Sequence, residues 1–305
     1  MVKKIITVNG PIDPEDMGMT LPHEHIMVDF IGVDSTGARR YRQDEVVDRV
    51  APYLLELKAA GVRTFIDCTP MYIGRDVSIL KGISKITGLH ILTNSGLYMG
   101  PYIPEETFSV EPKVLAQQWI NEHEQGIDGT DIKPGFIKTA VHAGRLIKVE
   151  QKIITAAALT SIHTGLTITT HTEDAVAAME ILDILEKLNV NPDKWIFVHA
   201  QEEMNYDLLL EVAKRGAWIE LDRIGIGAES EYLYLLLKLL DAGYENKILL
   251  SQDSVGYWVG QGLVRSIKPF SFLTSKFIPF LKENGFSEKS ICNLTVTNPS
   301  VAFSF

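Results

Sequence analysis

The feature that most constrains the fold is a unit that recurs along the chain from residue 20 onward. Each unit has an apolar run, a polar loop, an amphipathic helical pattern and a glycine before the next apolar run. Nearly continuous apolar runs, each followed by a helix, are typical of a parallel sheet covered by helices. Eight units in roughly 280 residues predict an α/β fold, a (β/α)8 TIM barrel. The predicted strands are 19–28, 63–69, 90–98, 135–140, 166–171, 195–200, 218–222 and 248–253.

Signals at the helix ends favour the same fold. Asn205 is a suitable N-cap for the helix that ends near Gly216, and Pro52, inside the helical pattern 44–60, predicts a kink or a late start. An open doubly wound sheet is the alternative, but it would carry a Gly-rich phosphate loop, and no complete motif of this kind is present. Glycines stand where a helix C-terminus needs a residue that tolerates left-handed backbone angles, at positions 61, 88, 126, 165, 216 and 243.

The first 19 residues differ from the repeating unit. They contain a short β-like run, 4–8, and a turn through Gly10 and Pro11, which predict a small β cap at one end of the barrel. No Pro/Ser-rich tract, charge block or low-complexity segment divides the remaining chain. Residues 1–305 are therefore predicted to form a single barrel domain.

Composition limits the partners and the compartment. The chain has 305 residues, of which 46% are hydrophobic and 22% charged, as in soluble globular proteins. A net charge of −10 without a basic cluster argues against nucleic acid or an anionic membrane as partner. Only two cysteines, far apart, favour a reducing compartment. The amino-terminal apolar stretch is too short for a signal peptide, and run 232–240 is too short to span a bilayer, so the protein is predicted to be cytoplasmic.

A lysine within an apolar strand is the strongest chemical signal. Lys138 follows Phe136 and Ile137, where burial of an unpaired ammonium group costs several kcal/mol. In a (β/α)8 barrel, residues at the carboxyl ends of strands face the active-site mouth, and an i, i+2 pair on a strand points to one face. Four histidines and an aspartate stand at such strand ends: His23, His25, His171, His199 and Asp253.

These residue types predict a metal site. Imidazole and carboxylate suit zinc, manganese, iron or cobalt, and zinc is the first expectation. Two divalent ions that share an anionic bridge would supply a hydroxide near neutral pH and polarise a carbonyl or phosphoryl oxygen. Lys138, carbamylated by CO2, is the predicted bridge, and Asp253 can both ligate a metal and accept the proton of the attacking water.

The set His23-x-His25, Lys138, His171, His199 and Asp253 resembles the phosphotriesterase family of the amidohydrolase superfamily. The likeness runs from Thr20-Leu21-Pro22-His23-Glu24-His25 to Val296-Thr297-Asn298-Pro299. The resemblance implies that His23 and His25 hold the more buried ion with Asp253, that His171 and His199 hold the more exposed one, and that carbamylated Lys138 bridges both together with a hydroxide. It also implies a homodimer.

Two further positions indicate the substrate. Tyr98 and Arg223 match places where the lactonase branch of the family has tyrosine and arginine, whereas its organophosphate hydrolases have tryptophan and histidine. The resemblance therefore implies a lactonase that attacks the lactone carbonyl with the bridging hydroxide and hydrolyses organophosphates weakly. Tyr98 would orient the carbonyl and Arg223 would hold a polar substrate or a loop. The structural alternatives to these roles are that Tyr98 only packs in the core and that Arg223 only forms an ion pair.

Other functions remain open from the sequence. The same site could serve a phosphotriesterase, a carboxylesterase or a hydrolase of phosphorylated sugar lactones. A non-catalytic binding barrel is disfavoured because no ligand is missing, and a serine hydrolase because there is no G-x-S-x-G motif. The glycine-rich stretch 254–262 is predicted to be a mobile lid. Cations that could receive a phosphate are Arg145, Lys148, Arg223 and Arg265.

Overall fold

The protein is described by a computed structural model that covers residues 3–37, 40–261 and 269–305. Gly262 and Arg265, which the sequence places near the predicted mouth, lie outside the described residues. An antiparallel hairpin of β1 (Ile5–Thr7) and β2 (Gly10–Ile12) comes first. The strands that follow are β3 (Thr20–Val28), β4 (Thr64–Asp67), β5 (His90–Leu92), β6 (Asn94–Ser95), β7 (Phe136–Ala140), β8 (Ile168–His171), β9 (Trp195–Val198), β10 (Trp218–Leu221), β11 (Ile248–Leu250) and β12 (Val255–Trp258).

Helices cover the strands on the outside. None of the described helices combines the length and the apolar character that crossing a bilayer requires. The helices are α1 (Gln43–Ala59), α2 (Val77–Thr87), α3 (Pro112–Gln125), α4 (Lys148–Thr164), α5 (Ala175–Lys187), α6 (Tyr206–Lys214), α7 (Glu229–Asp241), α8 (Ile278–Glu283), α9 (Glu288–Cys292) and α10 (Asn298–Phe303).

The strands form two parallel sheets, ordered β12-β3-β4-β5 and β6-β7-β8-β9-β10-β11. Thr93 alone separates β5 from β6, so the two sheets meet there along one stretch of chain. On the other side, the backbone N–H of Asp253 donates to the carbonyl oxygen of His23 in β3 at 3.1 Å. With β5 and β6 counted as one interrupted strand, and β11 and β12 as another, eight parallel strands follow in chain order, each succeeded by a helix. This is the predicted (β/α)8 architecture.

The amino-terminal hairpin closes one end of the barrel. Ile5 of β1 and Phe303 of α10 pack on a buried cluster that includes Phe136 and Trp218 from the strands. Thr167, just before β8, donates to the carbonyl oxygen of Ala302 at 2.6 Å, so these caps lie where the strands begin. The predicted β cap is confirmed, and the opposite end, where the strands finish, is left for the site.

The structure confirms most of the signals predicted at the helix ends. The Asn205 side chain accepts hydrogen bonds from the backbone N–H groups of Asp207 and Leu208 at the start of α6. The late start predicted for α1 is wrong, because the helix begins at Gln43 and runs through Pro52. Pro52 is exposed, so water can bind the carbonyl that the missing N–H leaves free. Positive φ angles occur at all six predicted glycines, at positions 61, 88, 126, 165, 216 and 243.

Two sequence expectations near the mouth need correction. The predicted strand 90–98 is interrupted at Thr93, because β5 pairs with β4 whereas β6 pairs with β7. The stretch predicted as a mobile lid instead forms β12 over half of its described part and pairs with β3. In β12, the Tyr257 hydroxyl also donates to Glu45 Oε1 at 2.8 Å. The segment after Asp253 is therefore a wall of the mouth, held by backbone pairing.

Candidate metal centre

All eight site residues predicted from the sequence line one cavity of about 240 Å³ at the carboxyl ends of the strands. The six predicted metal ligands lie deepest, and we call them the floor: His23, His25, Lys138, His171, His199 and Asp253. Four side chains near the opening are called the rim: Phe30, Tyr98, Arg223 and Trp258.

Lys138 lies at the centre of the floor. Lys138 is 1% exposed, and its Nζ atom is 3.3 Å from Nε2 of His23. The backbone of Gly96 passes directly beside it, so that a Cβ atom on Gly96 would lie 1.9 Å from the carbonyl oxygen of Lys138. Only glycine allows this approach. The lysine is thus buried as the sequence predicts, without a carboxylate partner among the hydrogen bonds and ion pairs of the described residues.

Hydrogen bonds at the outer nitrogens orient three of the histidines. Nδ1 of His23 lies 2.9 Å from an Asp222 oxygen, and Nδ1 of His199 lies 2.7 Å from the other oxygen of the same carboxylate. Nδ1 of His25 lies 2.9 Å from the hydroxyl of Thr69, which itself donates to a backbone carbonyl. These partners assign the Nδ1–H tautomer, which leaves the Nε2 lone pair of each ring available for a metal.

The fourth histidine, His171, lies beside His199. Nδ1 of His171 lies 2.7 Å from Nε2 of His199 and 3.2 Å from the hydroxyl of Tyr98. Nε2 of His171 is buried and has no hydrogen-bond partner within the part of the chain that the structure describes. Nitrogen atoms of two imidazoles therefore converge on one point, as they do around a shared ion.

Asp253 completes the floor from a strained backbone position. Its Oδ1 atom lies 3.1 Å from Nε2 of His25 and 3.7 Å from Nε2 of His23. Its φ angle is 51°, and that of His199 is 62°, both in the left-handed region. Non-glycine residues adopt this region at an energetic cost, and such strain concentrates at functional sites. Ligand atoms of His23, His25 and Asp253 lie within 4.8 Å of one another, close enough to share a metal ion.

The electrostatics of the floor favour a bound cation. Burial and the Lys138 charge lower the pKa of His23, but hydrogen bonds and charges of Asp222 and Glu220 outweigh them and raise it to about 9. Burial alone dominates at His25 and lowers its pKa to about 4. Burial would raise the pKa of Asp253, yet the neighbouring histidines hold it well below its usual range. At pH 7 His25 is thus neutral and Asp253 is ionised, which are the states in which these two groups bind a metal.

Aromatic rings and ion pairs build the rim. The Phe30 ring lies 6.1 Å from that of Tyr98 and 6.0 Å from that of Trp258, measured between centroids. Burial raises the pKa of Tyr98, so its hydroxyl stays protonated. Arg223 pairs with Glu202 and Glu173, in agreement with the structural alternative for this residue, while it also lines the cavity.

Comparison with known proteins identifies the family. The family model for the Phosphotriesterase family matches residues 3–303. The chain belongs to the phosphotriesterase family. A phosphotriesterase homology protein of Escherichia coli (strain K12) is 30% identical over 292 residues, which cover 94% of this chain and 98% of that protein. An aryldialkylphosphatase of Saccharolobus solfataricus is 29% identical and covers 96% of this chain and 97% of its own.

A solved structure of a weak promiscuous lactonase template, engineered for organophosphate hydrolysis, superposes with a TM-score of 0.89. Its sequence is 28% identical, and the match covers 98% of this chain and 99% of that one. The phosphotriesterase-family chain is therefore a metal-dependent hydrolase with the TIM-barrel fold of its relatives. The family uses a binuclear metal centre, and the converging nitrogens and the carboxylate of the floor are a donor set that fits one.

Sequence reasoning missed the residues that hold this phosphotriesterase-family site in place. Asp222 orients two histidines at once, and Glu220 lies 3.2 Å from Nδ1 of His23. Both are buried acids in or beside the apolar strand β10, which is the same signal that identified Lys138.

Glu24, between the two histidines of β3, was also missed. Its carboxylate accepts hydrogen bonds from the backbone N–H groups of Gln252 at 3.0 Å and Ser254 at 2.7 Å. It also accepts one from the Ser251 hydroxyl at 2.9 Å. Glu24 therefore binds the backbone on both sides of Asp253 and holds the strained turn that presents this aspartate.

Proposed function

We propose that this phosphotriesterase-family chain is a binuclear metal-dependent hydrolase that opens lactone rings. The observation that carries the proposal is the buried Lys138 among four histidines and Asp253. An unpaired ammonium group is costly in such a place, whereas a carbamate formed with CO2 is an anionic ligand. Carbamylation of Lys138 would therefore resolve the charge conflict and supply the bridge between two ions.

The proposed ligand sets follow from the two groups of converging atoms. His23, His25 and Asp253 would hold one ion, and His171 and His199 would hold the other, with Lys138 shared. Zinc is the first expectation for this nitrogen and oxygen donor set, and manganese, iron and cobalt also suit it. Asp222 would fix two of the histidine rings through their Nδ1 atoms and increase the basicity of their Nε2 atoms.

The reaction would divide its roles between the ions and the chain. Bound divalent ions supply a hydroxide near neutral pH and polarise the carbonyl oxygen of the substrate. Asp253 stays ionised because the surrounding histidines hold its pKa low, so its carboxylate can accept the proton of the attacking water. Arg223 lines the same cavity, and its Nε atom lies 3.8 Å from Asp253 Oδ2. Its guanidinium group would help to position the Asp253 carboxylate.

In this proposal, the position of Tyr98 is the reason that a lactone is a better substrate than a phosphotriester. Its hydroxyl lines the cavity, keeps its proton and lies 3.2 Å from a nitrogen of His171. A hydroxyl at this position can donate a hydrogen bond to the oxygen of a lactone ring and orient the carbonyl. The aromatic rings of Phe30 and Trp258 would pack against the apolar part of the substrate.

Phosphotriester hydrolysis is the second candidate, because a relative that matches almost the full chain is an aryldialkylphosphatase. A carboxylesterase would use the same residues. A homodimer, a cytoplasmic location and a single domain over residues 1–305 stay predictions.

Metal content and substrate preference test the proposal together. Two metal ions per chain are expected after metal supplementation, measured by elemental analysis, with a carbamate resonance in 13C NMR after incubation with labelled bicarbonate. Values of kcat/KM for γ- and δ-lactones should exceed those for paraoxon and simple aryl esters. A higher kcat/KM for paraoxon would replace the lactonase by a phosphotriesterase, and a single ion with an unmodified amine would remove the binuclear centre.

A further inference from the structure

The charge of Arg223 is compensated on two sides by carboxylates of neighbouring loops. Its Nη1 atom lies 2.8 Å from Glu202 Oε1, and its Nη2 atom lies 3.2 Å from Glu173 Oε1. Glu173 follows His171 by two residues, and Glu202 follows His199 by three. Both carboxylates are therefore carried by backbone that also positions the floor.

The backbone of Arg223 is fixed as well. The hydroxyl of the buried Tyr232 donates to the Arg223 carbonyl oxygen at 2.6 Å, and the N–H of Ile226 donates to the same oxygen at 2.9 Å. The Arg223 side chain is 24% exposed, against 40% for Glu173 and 41% for Glu202. The Arg223 guanidinium group thus lines the cavity from a fixed backbone, and the two carboxylates that bind it are more exposed than it is.

Few other cations could receive an anionic substrate here. Among the described residues that line the cavity, the lysine and arginine side chains are Lys138 and Arg223, and Lys138 lies on the floor. Arg145, considered from the sequence as a phosphate ligand, is 89% exposed and lies 3.9 Å from Glu180. With Asp253 nearby, three carboxylates surround the single guanidinium group of the rim.

We propose that Glu173 and Glu202 determine the charge selectivity of the pocket. By binding Arg223 they keep it from serving as an anion receptor. The pocket therefore selects uncharged lactones or esters and disfavours substrates that carry a carboxylate or a phosphate. This inference rests on the proposed function, since it names the substrate class of the same site.

Like-charge contacts at a binding site oppose the wrong ligand, and the pairs at this rim are partly exposed, so the effect is moderate. Replacing both carboxylates by amides keeps the shape of the loops and leaves Arg223 free to bind an anion. A change of about tenfold in the preference between a charged and an uncharged substrate corresponds to one moderate charge interaction. Surface ion pairs contribute little to folding, so the variants are expected to fold normally.

The test compares two γ-lactones that differ in one charge, one with a side chain ending in a carboxylate and one ending in the primary amide. In the metal-loaded Glu173→Gln/Glu202→Gln variant, kcat/KM for the carboxylate should rise about tenfold relative to that for the amide, mainly through KM. Glu202→Gln alone should give part of the change, and it avoids the neighbourhood of His171, whose Nε2 is 3.7 Å from Glu173. Adding Arg223→Gln to the double variant should abolish the gain.

Glu186→Gln is the matched control, because Glu186 is a half-exposed glutamate that pairs with Arg215 at 2.9 Å on the outer helices. It should leave the ratio unchanged. An unchanged ratio in the double variant, or a gain that persists without Arg223, would overturn the inference. If the native chain hydrolyses neither lactone, the proposed function fails instead. The two compounds then serve as ligands in calorimetry, where the same shift in the ratio of dissociation constants is expected.

Discussion

The floor and the rim of the cavity lie side by side but are held by different forces. The imidazoles of the floor are at most 10% exposed, and the outer nitrogens of three of them are bound by buried Asp222, Glu220 and Thr69. The rim is held by ring contacts and by ion pairs whose acids are about 40% exposed. Buried charge networks are sensitive to the loss of one member, whereas exposed pairs contribute little.

This difference separates two kinds of function. Changes in the floor should remove metal and activity together, because its members are the proposed ligands of both ions. Changes in the rim should alter substrate preference while the metal stays bound. The predictions below test this division, and a rim variant that lost metal or a floor variant that only changed specificity would break it.

The largest effect is expected for Lys138→Ala. Without the lysine no carbamate can form, so the shared ligand of both ions is lost and turnover should fall to background. The barrel should stay folded, because removal of an unpaired buried cation does not break an ion pair. Elemental analysis, circular dichroism and lactone turnover measure the three quantities.

Lys148→Ala, a change of an exposed lysine at the start of α4, is the matched control and should behave like the native chain. Native turnover in Lys138→Ala would exclude the carbamate bridge, and full metal content without turnover would assign the lysine a role other than that of a ligand.

Asp253→Asn should have the next largest effect. The amide keeps the size of the side chain but cannot accept the proton, so kcat should fall by about 10²- to 10⁴-fold. KM should change much less, because the rim is intact. Steady-state kinetics on a neutral lactone measure both values. A change in KM alone would place Asp253 in substrate binding rather than in proton transfer.

Glu24→Gln tests the support of the floor. Its carboxylate accepts from two backbone N–H groups around Asp253, and an amide can accept on one side only. Metal affinity should fall by roughly 10- to 100-fold, the range for outer partners of metal ligands, and Glu24→Ala should be no milder. Competition with a chelator measures affinity without reference to turnover. Native affinity in both variants would show that Asp253 holds its strained turn without Glu24.

The same division explains how far the sequence could predict the molecule. The floor follows from strand periodicity, since His23, His25 and Lys138 are misplaced polar groups in apolar runs whose barrel position is fixed by the fold. The rim depends on loops. In the structure, β12 pairs with β3 instead of forming a lid, and Arg223 binds Glu173 and Glu202. These contacts join segments that are separated in sequence, and no local pattern encodes them. The break at Thr93, between β5 paired with β4 and β6 paired with β7, depends on distant contacts in the same way.

Tyr98→Phe should give the smallest effect and the sharpest comparison. The change removes one hydroxyl and keeps the ring against Phe30, so metal content and the fold should not change. Loss of one hydrogen bond to the substrate predicts a decrease of about three- to tenfold in kcat/KM for lactones. The rate on paraoxon, which has no lactone carbonyl to orient, should change less. An equal decrease on both substrates would show that the hydroxyl acts through His171, 3.2 Å away, and would assign Tyr98 to the support of the floor rather than to the rim.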